Sequence, residues 1–260
     1  MNRLSRPRVI GHRGAAALAP ENTLAGFRAA REAGADWVEF DVQASRDGAP
    51  FLLHDARLER TTDGEGTAAA LSLAELVRLD AGRWFAPGFA GESVPRLEAA
   101  LALIGTLGLG AIAEIKVAAP GDGPRIMQAA LPALRNFDRS RLVVSSFDAA
   151  ALALAVAAAP GIPRALLVKR LPRDWRSRIE RLGCVALHIA ERGLDAATAT
   201  AVAEVVDCYI YTVNAPARAR QLFAWGAHGV FTDRPDVILS AIGQDTDGPV
   251  VAGSAGELRT

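Results

Sequence analysis

"RLVVSSFDAAALALAVAAAPGIPRALLVK", residues 141–169, is the stretch whose reading decides the fold. RLVVSSF is a short β-branched apolar run, DAAALALAVAAA is alanine-rich and helical in character, and RALLVK is a second apolar run. Short apolar runs on either side of a helical segment predict two buried strands joined by a crossover helix. Such a βαβ unit implies a parallel sheet covered by helices.

The same alternation extends in both directions. Upstream, RVIGH is a strand, and PENTLAGFRAAREAG is a helix with Asn22 as its expected N-cap and Gly34 as its stop. WVEFDVQ follows as the second strand, with PFLLHD as an extra strand piece beside it. RLEAALALIG reads as a helix and GAIAEIKV as a strand. GPRIMQAALPALRNF is expected to be a helix interrupted at Pro132. Downstream, the strands VALHIA, CYIYTV and GVFTD alternate with helical RDWRSRIERLG, DAATATAVAEV, PARARQLFAWG and RPDVILSAIG. Eight strand–helix units predict an α/β chain folded as a (β/α)8 TIM barrel, with an open doubly wound sheet as the alternative. No GxGxxG opens a helix and no Walker A loop is present, so nucleotide binding gains no support.

After His54 the regularity breaks. Residues from about 56 to 95 are rich in turn formers with one short helical piece near SLAELVRL, and are expected to be a small inserted subdomain after the second strand. Residues 1–243 are expected to form a single domain, and residues 244–260, rich in Gly, Asp and Ser, a flexible tail.

Lys and Arg total 29 and Asp and Glu total 29, which excludes a general nucleic-acid binder or a protein drawn to acidic membranes. MNRLSRPRVIGHRG has no apolar run long enough for a signal peptide or a span, so a cytoplasmic protein without stable membrane association is expected. Cys184 and Cys208 lack metal-type spacing and are expected to be buried. The oligomeric state is not legible.

Barrel strands are covered on both faces, so ionisable residues within them need a reason, and active sites sit at the C-terminal strand ends. His12 ends the first strand. Glu39 and Asp41 share one face of the second, opposite Val38, Phe40 and Val42, and Glu114 and Lys116 share a face of the third. His54 and Asp55 end the extra piece, and Asp233 ends the eighth strand. Glu39, Asp41 and Glu114 are expected to converge. Three such carboxylates cannot all stay ionised without a cation, and their oxygens suit one hard divalent ion, Mg2+ or Ca2+. The competing account is a set of salt bridges to Lys116 and Arg13. With a dication, Arg13 and Lys116 remain to attract an anion, which selects a phosphate ester, and His12 and His54 supply a general acid and base. His188 is expected to line the pocket or pack the core, and His228, at the opposite strand end, to be structural.

In order, GHRG (11–14), APENT (19–23), EFDV (39–42), HD (54–55), EIK (114–116), SSF (145–147), TVN (212–214) and GVFTDRPD (229–236) resemble the glycerophosphodiester phosphodiesterases of the cytosolic bacterial type. The resemblance runs from about Val9 to Asp236. It implies a TIM barrel with a small insertion, His12 and His54 as the acid/base pair, and Glu39, Asp41 and Glu114 as ligands of one divalent cation. It also implies that Arg13 and Lys116 contact the phosphate. Glu21 and Asn22 fall in its PENT segment, where substrate binding and loop capping both remain open. Tyr211 stands where the family usually has tryptophan, and with Phe147 is a candidate pocket wall; Trp84 is another. Gly11 and Gly14 are expected to let the backbone approach the phosphate. The implied reaction releases sn-glycerol 3-phosphate and an alcohol such as choline or ethanolamine from a small-molecule glycerophosphodiester. A phospholipase- or sphingomyelinase-type lipid phosphodiesterase, a non-catalytic binding barrel and an enolase-type barrel are the alternatives.

Overall fold

The apolar runs become strands because each is covered twice, by helices outside and by its neighbours' side chains inside. A computed structural model describes residues 7–243. The tail expected over 244–260 lies outside the described residues. In chain order the elements begin with β1 (Val9–Gly11), α1 (Leu24–Glu32), β2 (Trp37–Ala44), β3 (Pro50–Leu52), α2 (Leu73–Leu76), α3 (Leu97–Thr106) and β4 (Gly110–Ile115). They continue with α4 (Asp122–Arg135), β5 (Leu142–Ser146), α5 (Ala149–Ala158), β6 (Arg164–Val168), α6 (Trp175–Leu182), β7 (Ala186–Ala190) and α7 (Ala196–Ala203). The last four are β8 (Asp207–Tyr211), α8 (Pro216–Ala224), β9 (Gly229–Thr232) and α9 (Pro235–Gly243).

Strands β1, β2 and β4 to β9 pair in parallel in that order, and β1 pairs with both β2 and β9. The sheet is therefore closed: the chain is a TIM barrel, not an open doubly wound sheet. The extra strand β3 runs antiparallel to β2, with Val42 opposite Leu52.

The two-residue periodicity of β2 sorts its side chains as expected. Val38, Phe40 and Val42 face outward into a cluster with Phe27, Leu97 and Ile126 of the surrounding helices. Inside, Ile10, Trp37, Ile112, Val143, Tyr209 and Phe231 fill the lower barrel. Glu39, Asp41 and Glu114 lie above this apolar plug, at the C-terminal side. Between β3 and α3 the chain forms a small apolar cluster of its own, including Phe51, Leu58, Leu73, Leu76 and Val94. There α2 is closed by a capping box between Ser72 and Glu75. No helix among the described residues is long and apolar enough to cross a membrane.

Two local expectations fail. The N-cap of α1 is Thr23, whose hydroxyl accepts from the Gly26 N–H, because Asn22 is used elsewhere. Pro132 does not interrupt α4, which is continuous from Asp122 to Arg135. The proline lies on the exposed side, where water can satisfy the carbonyl left without its helical partner. His228 is structural, as expected: at the N-terminal end of the barrel its Nδ1 accepts from the Cys208 N–H at 3.1 Å. Both cysteines are buried and free.

Trp37 occupies the barrel floor only because Gly110, its partner across β2 and β4, has no side chain. A Cβ on Gly110 would lie 2.2 Å from the indole. We expect Gly110→Ala to cost about 1–3 kcal/mol by overpacking, lowering Tm by roughly 3–10 °C. Gly88, with open space around its Cβ position, provides the control: Gly88→Ala should leave the thermal melt unchanged.

Candidate active site

The chain leaves β1 in a tight reversal. A Cβ on Gly11 would lie 2.0 Å from the Gly14 carbonyl oxygen, and one on Gly14 would lie 2.6 Å from the Gly26 backbone. Both glycines are thus required by the loop's approach to its own chain. Arg13 and Asn22 adopt the left-handed conformation, with φ of 50° and 57°. What holds them there is the carboxylate-bearing strand. The Arg13 N–H donates to Glu39 Oε2 at 3.0 Å. Asn22 Nδ2 donates to Asp41 Oδ2 at 2.8 Å, while the Asp41 N–H donates to Asn22 Oδ1 at 3.0 Å. Asn22 therefore orients the first loop and a carboxylate together, and this displaces the capping role onto Thr23.

Glu39, Asp41 and Glu114 are all buried, and one oxygen from each lies within 4.8 Å of the others. Arg13 Nε is 3.4 Å from Asp41, and Lys116 Nζ is 3.2 Å from Asp41 and 3.0 Å from Glu114. Lys116 lies just past β4, kept in line by its N–H donating to the Val42 carbonyl at 2.9 Å. These cations do not complete the cluster, because Glu39 Oε1 is buried without a hydrogen-bond partner. Burial, with Asp41 and Glu114 nearby, pushes the Glu39 carboxyl well above the usual range. Burial and Asp41 likewise push Glu114 up to about 7. Asp41 is the exception. Burial raises it too, but Lys116, Arg13 and His54 outweigh burial and hold it at about 2. Oxygen ligands about 2.0–2.6 Å from one ion span separations of this size. The donor set and the orphaned oxygen both fit a hard divalent cation.

The two histidines are built alike. His12 Nδ1 lies 2.7 Å from Asp233 Oδ1, and Asp233 is itself held by Asn214 Nδ2 at 2.7 Å. His54 Nδ1 lies 2.6 Å from Asp55 Oδ1, and Asp55 is held by Arg60. A carboxylate on Nδ1 fixes the ring and leaves Nε2 as the working nitrogen. The backbone around His54 is clamped by buried Gln43, whose Nε2 donates to the carbonyls of Leu53 and Asp55, each at 2.7 Å. Burial pulls the His54 pKa down, with Arg13 and Lys116 adding to it against the pull of Asp41.

His12, His54, Arg13, Lys116, Phe147 and Tyr211 line one pocket of about 620 Å3 at the C-terminal end of the barrel. Phe147 and Tyr211 meet edge to face, with centroids 6.2 Å apart, and the Tyr211 hydroxyl donates to the Val168 carbonyl at 2.9 Å. Glu21 is not among the lining residues. One of its oxygens accepts from Arg13 at 2.8 Å, and both accept from Arg60 at 2.7 Å. Trp84 also stands apart, in the insertion, donating to the Ala81 carbonyl. His188 is buried below, between Tyr209 and Phe231, and borders a cavity of about 30 Å3 beneath Glu39 and Glu114.

Sequence reasoning placed Asp55 and Asp233 at strand ends and Asn214 in the TVN match but gave them no role, and it missed Gln43 and Arg60. Adjacency to His54 was a signal for Asp55. The TVN motif was a signal for Asn214, and nothing local marks Arg60.

Residues 12–237 match the model of the glycerophosphoryl diester phosphodiesterase family. The chain belongs to this family. It is 32% identical to the glycerophosphodiester phosphodiesterase of Caldanaerobacter subterraneus subsp. tengcongensis, over 90% of this chain and 97% of that one. It is 28% identical to a Bacillus subtilis glycerophosphodiester phosphodiesterase, over 91% and 87% of the two chains. Among solved structures it resembles an Oleispira antarctica phosphodiesterase in complex with the product sn-glycerol-3-phosphate. That match has a TM-score of 0.88 and 38% identity, and covers 91% of this chain and 97% of that one. Within the family fold, the carboxylate trio, the two His–Asp pairs and the Arg13–Lys116 pair share the C-terminal rim.

Raised carboxyl pKa values make a prediction about metal binding. Without a cation, the folded protein holds protons on Glu39 and Glu114 that the unfolded chain has already lost. Their contribution to stability is thus present at low pH and fades as pH rises, for Glu114 through about 7. A divalent cation replaces those protons. The rise in Tm on adding Mg2+ or Ca2+ to EDTA-treated protein should therefore grow between about pH 5 and 8, and calorimetry in buffers of different ionisation enthalpy should show proton release. Glu39→Gln should raise the metal-free Tm by about 2–4 °C and abolish the metal-dependent rise.

Proposed function

We propose that this chain hydrolyses glycerophosphodiesters to sn-glycerol 3-phosphate and an alcohol, with one divalent cation, Mg2+ or Ca2+, and a pair of histidines. The observation that carries this is the convergence of two carboxylate-oriented imidazoles, Arg13, Lys116 and Glu114 on one pocket. The product bound by the Oleispira antarctica relative supports the same chemistry.

Arg13 and Lys116 bind and orient the phosphate. Burial lowers the Arg13 pKa, but Asp41, Glu21 and Glu39 outweigh it, so the side chain stays cationic. The same balance holds for Lys116, against Asp41 and Glu114. Glu21 positions Arg13, and Arg60 ties Glu21 to Asp55, so the phosphate grip and the His54 dyad move as one unit. Glu39, Asp41 and Glu114 would hold the cation, which when bound supplies electrostatic stabilisation to the phosphoryl oxygens. Phe147 and Tyr211 supply the aromatic wall of the pocket.

No serine or cysteine beside a base lines the pocket, so the substrate's own 2-hydroxyl serves as nucleophile. His54, kept neutral by burial, accepts the hydroxyl proton as the O2–P bond forms. His12 donates a proton to the departing alcohol oxygen as its bond to phosphorus breaks. Water then opens the cyclic phosphate, with the histidines exchanging roles.

A coupled assay for released glycerol 3-phosphate tests this. His12→Ala and His54→Ala should each lower kcat by about 10²- to 10⁴-fold while keeping the metal-dependent Tm shift. A diester lacking the 2-hydroxyl should be nearly inert; ready turnover would point instead to direct attack by water. Because burial disfavours the charged imidazole, His54 stays neutral at pH values where a free imidazole already charges. The acid limb of kcat/KM should therefore lie below the ordinary imidazole value of 6.5. Asp55→Asn removes a carboxylate that favours the charged ring, and should move that limb lower still.

A further inference from the structure

Beside the catalytic pocket lies a second one, of about 440 Å3, on the loops that follow β6 and β7. Lys169 borders both pockets. Arg170 and Arg192 complete a cationic lining, and among the described residues no acidic side chain lines it. All three side chains are exposed, and among the described residues none forms an ion pair or a hydrogen bond. The acids nearest in sequence are committed elsewhere. Glu191 pairs with Arg218 at 3.0 Å, and Asp195 accepts from the Thr198 N–H at 2.8 Å as the cap of α7. By contrast, Arg13, Arg60 and Lys116 on the carboxylate side of the same barrel end are all engaged by carboxylates.

Three unpaired cations in a concave pocket raise the local concentration of anions and favour an anionic group that settles there. The scissile phosphate does not need them, because Arg13 and Lys116 already face it. Continuity through Lys169 makes the second pocket an extension of the catalytic one. We propose that it is a subsite for the alcohol portion of the substrate, and that this alcohol carries an anionic group, a phosphate or a carboxylate, beyond the scissile bond. The preferred substrates are then diesters with an acidic head group rather than choline or ethanolamine diesters. This rests on the phosphodiesterase function proposed above and adds the substrate class. Lys169, Arg170 and Arg192 act in binding and selection, and no bond is made or broken in the subsite.

The test compares two diesters that differ by one group: glycerophosphoglycerol, and the same molecule carrying a phosphate on its distal hydroxyl. The phosphorylated diester should show the higher kcat/KM, through KM, and the preference should shrink as salt rises, because exposed charges are screened. In the Arg170→Gln, Arg192→Gln double variant, the ratio of the two kcat/KM values should fall about tenfold, the loss expected for two exposed charge contacts. Equal kcat/KM for the two diesters, or an unchanged ratio in the double variant, overturns the subsite and leaves the phosphodiesterase function standing. Hydrolysis of neither diester overturns both. Cosedimentation with phosphatidylglycerol vesicles that the double variant loses, with the ratio unchanged, overturns the subsite in favour of a membrane-facing patch.

Discussion

The mutual repulsion of three buried carboxylates, Glu39, Asp41 and Glu114, is the constraint on which the upper barrel depends. Carboxylates in a low-dielectric interior are unstable as anions unless cations or donors compensate them. Each element at this end of the barrel answers part of that demand. The β1–α1 loop bends into left-handed conformation so that the Arg13 amide and the Asn22 amide group reach Glu39 and Asp41. Lys116 turns back onto Asp41 and Glu114. One oxygen of Glu39 remains unanswered, which is the opening for a cation. A site built in this way would gain most from a cation bound beside that oxygen.

The two His–Asp pairs hang from the same framework. Asp41 lowers the cost of charge on His54, while Arg13 and Lys116 raise it. Arg60, from the segment after β3, joins Glu21 to Asp55 and so joins the first loop to the second histidine. The antiparallel β3 matters because it returns the chain to the rim of β2, where the Leu53 N–H donates to the Asp41 carbonyl and Gln43 clamps the turn that carries His54. The insertion is thus part of how the site is held, not an appendage to the barrel.

Much of this was legible in the sequence because it is written in periodicity and position. The split of β2 into Val38, Phe40 and Val42 on one face and Glu39 and Asp41 on the other follows from the two-residue repeat of a strand. The Asn22 assignment failed for an instructive reason. Local chemistry marks asparagine as a helix cap, but a buried carboxylate nineteen positions away is the stronger partner. Pro132 failed because a proline off the buried stripe of Ile126, Met127, Ala130 and Leu134 leaves its unpaired carbonyl to water, so the helix continues through it. Arg60 and Gln43 carried no local mark, since each is defined only by the group it meets.

By itself, the sequence determined the run of eight strand–helix units, the resemblance to the family and which charged residues stand at the strand ends, because hydrophobic period, motif order and charge placement are local properties of the chain. Only the tertiary structure decided what those residues do for one another. It brought Asp233 onto His12 across 221 positions, turned Glu21 onto two arginines, and left Glu39 Oε1 without a partner. Electrostatic compensation depends on distance and burial, and these come into being only when the barrel closes.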